Sequence, residues 1–186
     1  MIFGDKIMTP RLRLRRIIES DLPLLVAWSD SDLAHGSYLT PDRTDEVKGR
    51  EGIAHGTYWN DVNREFLIEL RDEKPIGTLR YWLRSERRSC AVMAVKISEP
   101  AMRNKGCGTE AQKYVIIQLF QRLKMQSVEM YTDIDNRAQQ RCLRKLGFEL
   151  VETLSYDDHQ VKRVGHLFRI DAAAFAKNPV YQYHYE

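Results

Sequence analysis

Residues 109–123 set the first condition on the fold. Ala111, Tyr114, Val115, Ile116, Ile117, Leu119, Phe120 and Leu123 recur there at helical spacing, giving an apolar face too broad for a helix lying on a surface. Such a helix has to be buried on a sheet, so the chain must also supply strands. It does. "RLRLRRI" alternates Leu12 and Leu14 with Arg11, Arg13 and Arg15, the period-two pattern of a half-buried strand with its arginines outward.

The rest of the chain divides on the same grounds. "ESDLPLLVAWSDSD" predicts a first helix, with Ser20 as N-cap, Pro23 in the first turn, and Leu24, Leu25 and Trp28 on one face. Over 41–63 the signal weakens, because Gly49, Gly52 and Gly56 interrupt a polar segment; a marginal, movable helix is expected there. "EFLIELRDEKPIGTLRYWL" reads as a hairpin, "CAVMAVKI" as the next strand and "SVEMYTDI" as another. "NRAQQRCLRKL" is a helix closed by Gly147, and "FELVETL" and "GHLFRID" are the last two strands. The order of elements, with 186 residues to bury, predicts a single domain with a core at about 9–175 and a short tail.

Composition excludes several classes. With 29 Lys and Arg interleaved among 26 Asp and Glu, the chain lacks the one-sided field of a nucleic-acid binder. A solvated strand face accounts for Arg11, Arg13 and Arg15 better than phosphate readout does. Cys90, Cys107 and Cys142 lie far apart with no CxxC pair, which fits a reduced protein without a zinc site. The N-terminus lacks a signal peptide's apolar run and no stretch is long enough to span a bilayer. The expectation is a cytoplasmic protein, monomer or homodimer, with no metal, membrane or nucleic-acid partner.

The start of the long helix is unusual. "RNKGCGTEAQ" places Gly106 and Gly108 behind Arg103 and Lys105, weakening the helix where it begins and surrounding that start with positive charge. A helix N-terminus presents unpaired N–H groups equivalent to about half a positive charge, and glycine lets an anion approach the backbone. The pattern points to a phosphate. After a strand ending in "KISEP", this RxxGxG run resembles motif A of the GCN5-related N-acetyltransferase (GNAT) superfamily. "DNRAQQRCLRKLGFEL" is similar to the same superfamily's segment in which an asparagine, here Asn136, precedes a Gly-Phe pair, Gly147 and Phe148. "TPRLRLRRIIESDLPLLVAW" and "KPIGTLRYWL" resemble its ribosomal-protein and spermidine acetyltransferase branch, and the matches together span most of 9–170.

The resemblance implies an α/β fold: a mixed, mostly antiparallel twisted sheet of six or seven strands with helices on both faces, split where acetyl-coenzyme A enters. It implies that backbone at Lys96, Ile97 and Ser98 pairs with the pantetheine arm. Asn104, Lys105, Gly106, Cys107, Gly108 and Thr109 would hold the pyrophosphate, with Arg103 as further charge, and Asn136 would bond the arm. Cys107 is a small filler, not a nucleophile. Departures from the family pattern are as informative. The position at which many relatives carry a glutamate base is Met93, the tyrosine acid position is Leu143, and a serine position is Gln139.

Strand alternation puts Tyr131 and Asp133 on one face near the expected split, which makes them the candidate catalytic pair. Glu65 and Glu69 on the hairpin are weaker candidates, and His35 and His55 are expected to be solvated. Without a dedicated base the chemistry favours an amine that deprotonates easily. An α-amino group near pH 8 is roughly a quarter neutral in the cell, a lysine only about one part in a thousand. The expected function is acetyl transfer from acetyl-coenzyme A to a small-molecule or peptide amine: a protein N-terminus, amino acid, polyamine or antibiotic amine. The alternative is a silent acyl-coenzyme A sensor.

Overall fold

A computed structural model describes residues 6–182. Among them are eight strands: β1 (Lys6–Met8), β2 (Leu12–Arg16), β3 (Asn63–Leu70), β4 (Pro75–Leu83), β5 (Cys90–Ile97), β6 (Ser127–Asp133), β7 (Glu149–Asp158) and β8 (Val161–Asp171). They form one sheet in the order β1-β2-β3-β4-β5-β6-β8-β7. Every neighbouring pair is antiparallel except β5 and β6. The sequence predicts six or seven strands; the additional one is β1, whose three residues turn a single side chain, Ile7, inward and so carry no readable alternation.

The long helix, α4 (Cys107–Gln121), connects the two parallel strands and lies across one face of the sheet. Val115, Ile116 and Leu119 pack there with Leu14, Phe66, Leu79, Met93, Met130 and Phe168, all buried. Leu119 retains no exposed surface; its burial contributes about 2–3 kcal/mol of transfer free energy, and truncation to alanine would cost about 2–5 kcal/mol. α5 (Arg137–Lys145) adds Cys142 and Leu143 to this core, and α6 (Ala172–Lys177) brings Ala174 and Phe175 against it.

Three short helices, α1 (Leu22–Ser29), α2 (Asp32–His35) and α3 (Glu46–Ala54), belong to the opposite face. There Trp28 and Ala34 pack with Ile17 and Leu67. α1 follows a 3-10 turn (Glu19–Asp21), so Ser20 lies inside that turn and Asp21 takes the N-cap position. Asp21 instead accepts two bonds from Arg15, each 2.8 Å, and one from the Ile18 N–H.

Arg13 and Arg15 are not solvated as the alternation suggests. Both reach the buried carboxylate of Glu69, at 2.6 and 2.8 Å. The helix expected within 41–63 forms as α3, capped by Asp45, whose Oδ1 accepts from Lys48 N at 2.9 Å. Its glycines have a packing reason beyond flexibility: a Cβ on Gly49 would meet Leu22 at 2.7 Å, and one on Gly52 would meet Tyr58 at 2.8 Å. The last hairpin runs on beyond its apolar patterning to a turn at His159 and Gln160, both with positive φ. Neither residue is the Asn-Gly signal such turns favour, so the extension is not visible in the sequence.

Candidate active site

The parallel junction is short. β5 and β6 pair only at Cys90 with Ser127, Ala91 with Val128 and Val92 with Glu129. Beyond Val92, β5 continues to Ile97 paired to β4 alone, while β6 continues to Asp133 paired to β8 alone. Two stretches of backbone therefore face each other across a gap, with N–H and C=O groups that need a partner. Near the gap two hydroxyls, Ser98 Oγ and Thr132 Oγ1, are buried without any hydrogen bond. Unmet backbone groups and orphaned hydroxyls suit an extended, amide-bearing chain such as pantetheine.

The start of α4 lies close behind. Gly106 is its N-cap, with φ at 82°, and no side chain caps the helix; the first turn's bond is Glu110 N to Gly106 O at 3.0 Å. The amides of Cys107, Gly108 and Thr109 are left for an outside acceptor. Cys107 is buried in the core, as a filler would be. An open groove of about 420 Å³ runs from Gly106 and Thr109 past Lys113 and Lys145. Asn104 and Lys105 are exposed, and the Lys105 carbonyl accepts from Arg11 Nη1 at 2.8 Å. Arg11 also binds Glu110 at 2.6 Å. Asn136 caps α5 through Oδ1, accepting from Gln139 N at 3.2 Å.

Arg103 has its donors on other partners. Its guanidinium bonds the carbonyls of Ile97 at 2.9 Å, Leu33 at 2.7 Å and Ala34 at 2.9 Å. It ties the end of α2 to the end of β5. Lys96 has a similar double character: its backbone borders the gap, while its Nζ lies 3.2 Å from His35 Nε2. His35 is buried, correcting the expectation of a solvated histidine; His55 is exposed. His35 Nδ1 lies 3.0 Å from the Ser31 carbonyl, which can only accept, so Nδ1 carries a proton; Nε2 faces both Lys96 and Asp42 Oδ1, the latter at 3.5 Å. Burial holds the Lys96 ammonium below its ordinary pKa, opposed by Asp42, Glu65 and Asp158.

Register places Tyr131 and Asp133 on one face, as alternation requires, together with Glu129. Glu129 was not singled out by its sequence. Fully buried, it accepts from Arg84 at 2.5 Å, from Arg169 at 2.5 Å and from Cys90 Sγ at 2.9 Å. Arg84 also donates to the Tyr131 hydroxyl at 2.6 Å. Asp133 accepts from Asp135 N at 2.9 Å and pairs with Arg163 at 3.4 Å. The only sequence sign of Glu129 was an acidic residue at an inward position of a central strand. Met93 and Leu143 are both buried in the core that α4 packs on. Gln139, at the serine position, donates to Gln112 at 2.8 Å in the seam between α4 and α5.

No helix among the described residues is long and apolar enough to cross a membrane. Among the same residues no group of three or more His, Cys, Asp or Glu could hold a metal ion.

A sheet opened at its parallel junction beside a helix start stripped of side-chain caps is the architecture of an acetyltransferase. The sequence model of the acetyltransferase (GNAT) domain matches residues 11–149, and the chain belongs to that family. By that domain it is an acetyltransferase. Solved structures agree in fold. A spermidine N-acetyltransferase chimera from Vibrio cholerae superposes with a TM-score of 0.74 at 15% identity, covering 89% of this chain and 98% of that one. A ribosomal-protein alpha-N-acetyltransferase in complex with coenzyme A gives 0.76 at 15% identity, over 91% and 99%. A GCN5-related N-acetyltransferase from Brucella melitensis gives 0.75 at 15% identity, over 97% and 85%. A comparison with curated protein sequences finds no match.

Proposed function

We propose that this chain transfers the acetyl group of acetyl-coenzyme A to a primary amine by direct attack within a ternary complex. The observation that carries the reading is the stretch of β5 beyond Val92 that no strand pairs on its β6 side, leading to the uncapped amides of Cys107, Gly108 and Thr109. Backbone at Lys96, Ile97 and Ser98 would hold the pantetheine arm, and the loop Asn104 to Thr109 the pyrophosphate. Asn136 would meet the arm at the α5 cap. Lys113 and Lys145, along the groove, suit the nucleotide's charge. When bound, acetyl-coenzyme A supplies an activated thioester. The β5 amides that lack a strand partner offer hydrogen bonds to its carbonyl oxygen.

The acceptor reading is a protein N-terminus, amino acid, polyamine or antibiotic amine, with amines of low basicity (a peptide N-terminus, amino acid or antibiotic amine) favoured, taken up by a cytoplasmic monomer or homodimer. Methionine at 93 and leucine at 143 support it, since neither can move a proton. Acetyltransferases of spermidine and of a ribosomal protein α-amine stand among the structural neighbours. The test is thiol release from acetyl-coenzyme A across an amine panel, with mass detection of the product. Turnover supports the enzyme; saturable binding without turnover on any amine would identify the silent sensor instead.

A further inference from the structure

One stretch of the sheet is bare where it should be covered. Ala94 and Arg80 sit on central strands, yet both are exposed, because α1, α2 and α3 cover the sheet around Leu67 and leave the region over Ala94 uncovered. Arg80 lies over the Trp82 ring at 4.5 Å. The result is an uncovered strip of sheet on the face opposite α4, running beside the split and including Ala94. Glu65 pairs across to Arg80 and Arg80 to Ala94, so Glu65 lies on the same face two strands away. At about 4.8 Å per strand its Cα is roughly 10 Å from that of Ala94.

The carboxylates of this face differ in one respect. Glu69 is bound by Arg13 and Arg15, Glu129 by Arg84 and Arg169, and Asp133 and Asp158 by Arg163. Asp158 also accepts from Thr40 N at 2.8 Å. A carboxylate whose lone pairs are taken by guanidinium is a poor proton acceptor. The Glu65 carboxylate makes no hydrogen bond and no ion pair among the described residues, although its backbone N–H donates to the Tyr58 carbonyl at 2.9 Å. We propose that Glu65 is the proton acceptor for the incoming amine, reached across one bridging water over this uncovered strip. It rests on the transferase reading proposed above, not on the preference for a weakly basic acceptor, and supplies a base that positions 93 and 143 lack.

The proton balance is simple. An N–H bond of the acceptor ammonium breaks, an O–H bond forms on Glu65, and the nitrogen lone pair is freed to attack. The amine's second proton leaves with the coenzyme A thiol. Arg80, Lys96, Asp42 and Tyr58 face Glu65 from β4, β5, the loop after α2 and the segment after α3, with His35 behind Lys96. Burial lifts the Glu65 pKa, Arg80 and Lys96 draw it down and Asp42 adds to the lift; the net is above the ordinary glutamate value. That places it nearer the working pH of a general base.

Glu65→Gln tests the assignment with two amines, one of low and one of high basicity, read as kcat/KM against pH. The expected result is a loss of about 10²-fold or more for the basic amine, a smaller loss for the other, and disappearance of the acidic limb that belongs to Glu65. Acetyl-coenzyme A affinity by calorimetry should stay unchanged. Thermal melts supply a readout independent of turnover. A carboxylate with a raised folded pKa stabilises below its unfolded pKa and loses that contribution as pH rises through the folded value. Glu65→Gln should therefore melt higher than the natural protein at neutral pH, and the gain should vanish in acid. Unchanged kcat/KM profiles in an active, folded variant would overturn the assignment and leave the transferase reading standing. A natural protein that binds acetyl-coenzyme A but acetylates no amine would overturn both.

Discussion

Lys96 Nζ and His35 Nε2 are the two ends of one 3.2 Å hydrogen bond, joining the strand that borders the split to a helix of four residues. Arg103 fastens the same two elements through the carbonyls of Ile97, Leu33 and Ala34. The short helix α2 is thus tied to the strand proposed to hold the cofactor.

Arg103→Lys separates two roles for that arginine. A charge that attracts phosphate survives the change; a planar fork serving three carbonyls does not. We expect faster amide hydrogen exchange across 32–36 in the lysine variant, with acetyl-coenzyme A affinity lowered by less than about tenfold, a change of about 1.4 kcal/mol. Unaltered exchange together with a large loss of affinity would return Arg103 to the phosphate.

Gly108→Val addresses the cofactor loop. A Cβ at this position has room, its nearest neighbours being Ile97 Cγ1 at 3.7 Å and Gln112 Nε2 at 3.9 Å. The fold should persist by circular dichroism. The branch then stands over the amides assigned to the pyrophosphate, and calorimetry should record at least a tenfold weaker acetyl-coenzyme A. Retained affinity would move the pyrophosphate elsewhere.

Glu129→Gln leaves Arg84 and Arg169 without their shared carboxylate. Both arginines keep some contact with water, 22% and 37% exposed, so the cost should be about 2 kcal/mol, below the roughly 3–5 kcal/mol of a fully buried pair. Burial pushes the Glu129 pKa up, but bonds from Cys90, Arg84 and Arg169 outweigh it and hold it below the ordinary glutamate value. Its stability contribution is present above the unfolded pKa and is lost as pH falls through the folded one. Urea midpoints of variant and natural protein should converge in acid; a gap independent of pH would contradict the ion-pair account.

Tyr131→Phe and Asp133→Asn test the pair singled out by strand alternation. Tyr131 is held by Arg84 and stands 5.6 Å from the Tyr156 ring; Asp133 is occupied by Arg163 and the Asp135 amide. Each substitution should lower kcat/KM by less than about a hundredfold. A thousandfold loss in either, with cofactor binding intact, would assign the proton to that residue and remove it from Glu65.

The sequence carried what depends on local pattern. β5 is where "CAVMAVKI" places it, and α4 is legible from its apolar face, although it begins two residues early because Gly106 adopts the left-handed conformation. What depends on distant partners was illegible. Nothing near Arg13 or Arg15 announces Glu69, 54 or 56 residues away, and nothing near Arg103 announces the carbonyls of α2. His35 illustrates the same limit: a polar neighbourhood in sequence suggested solvent, whereas burial comes from a strand 61 residues further on. The exposure of Ala94 was equally hidden, since it depends on which part of the sheet the short helices leave bare.

The three residue pairs that join β5 to β6 make the sheet two leaves on one narrow spine. On one side lie β1 to β5, on the other β6 to β8; α4 spans the seam from the core face, and on the opposite face Thr40 bonds Asp158 and Arg163, and Arg84 bonds Glu129, across it. A joint of three residue pairs resists twist less than a full ladder does, so the gap's width is set by few backbone bonds. A guest that bonds both lips acts as a splint, and rigidity across the whole sheet follows from occupancy at a single seam.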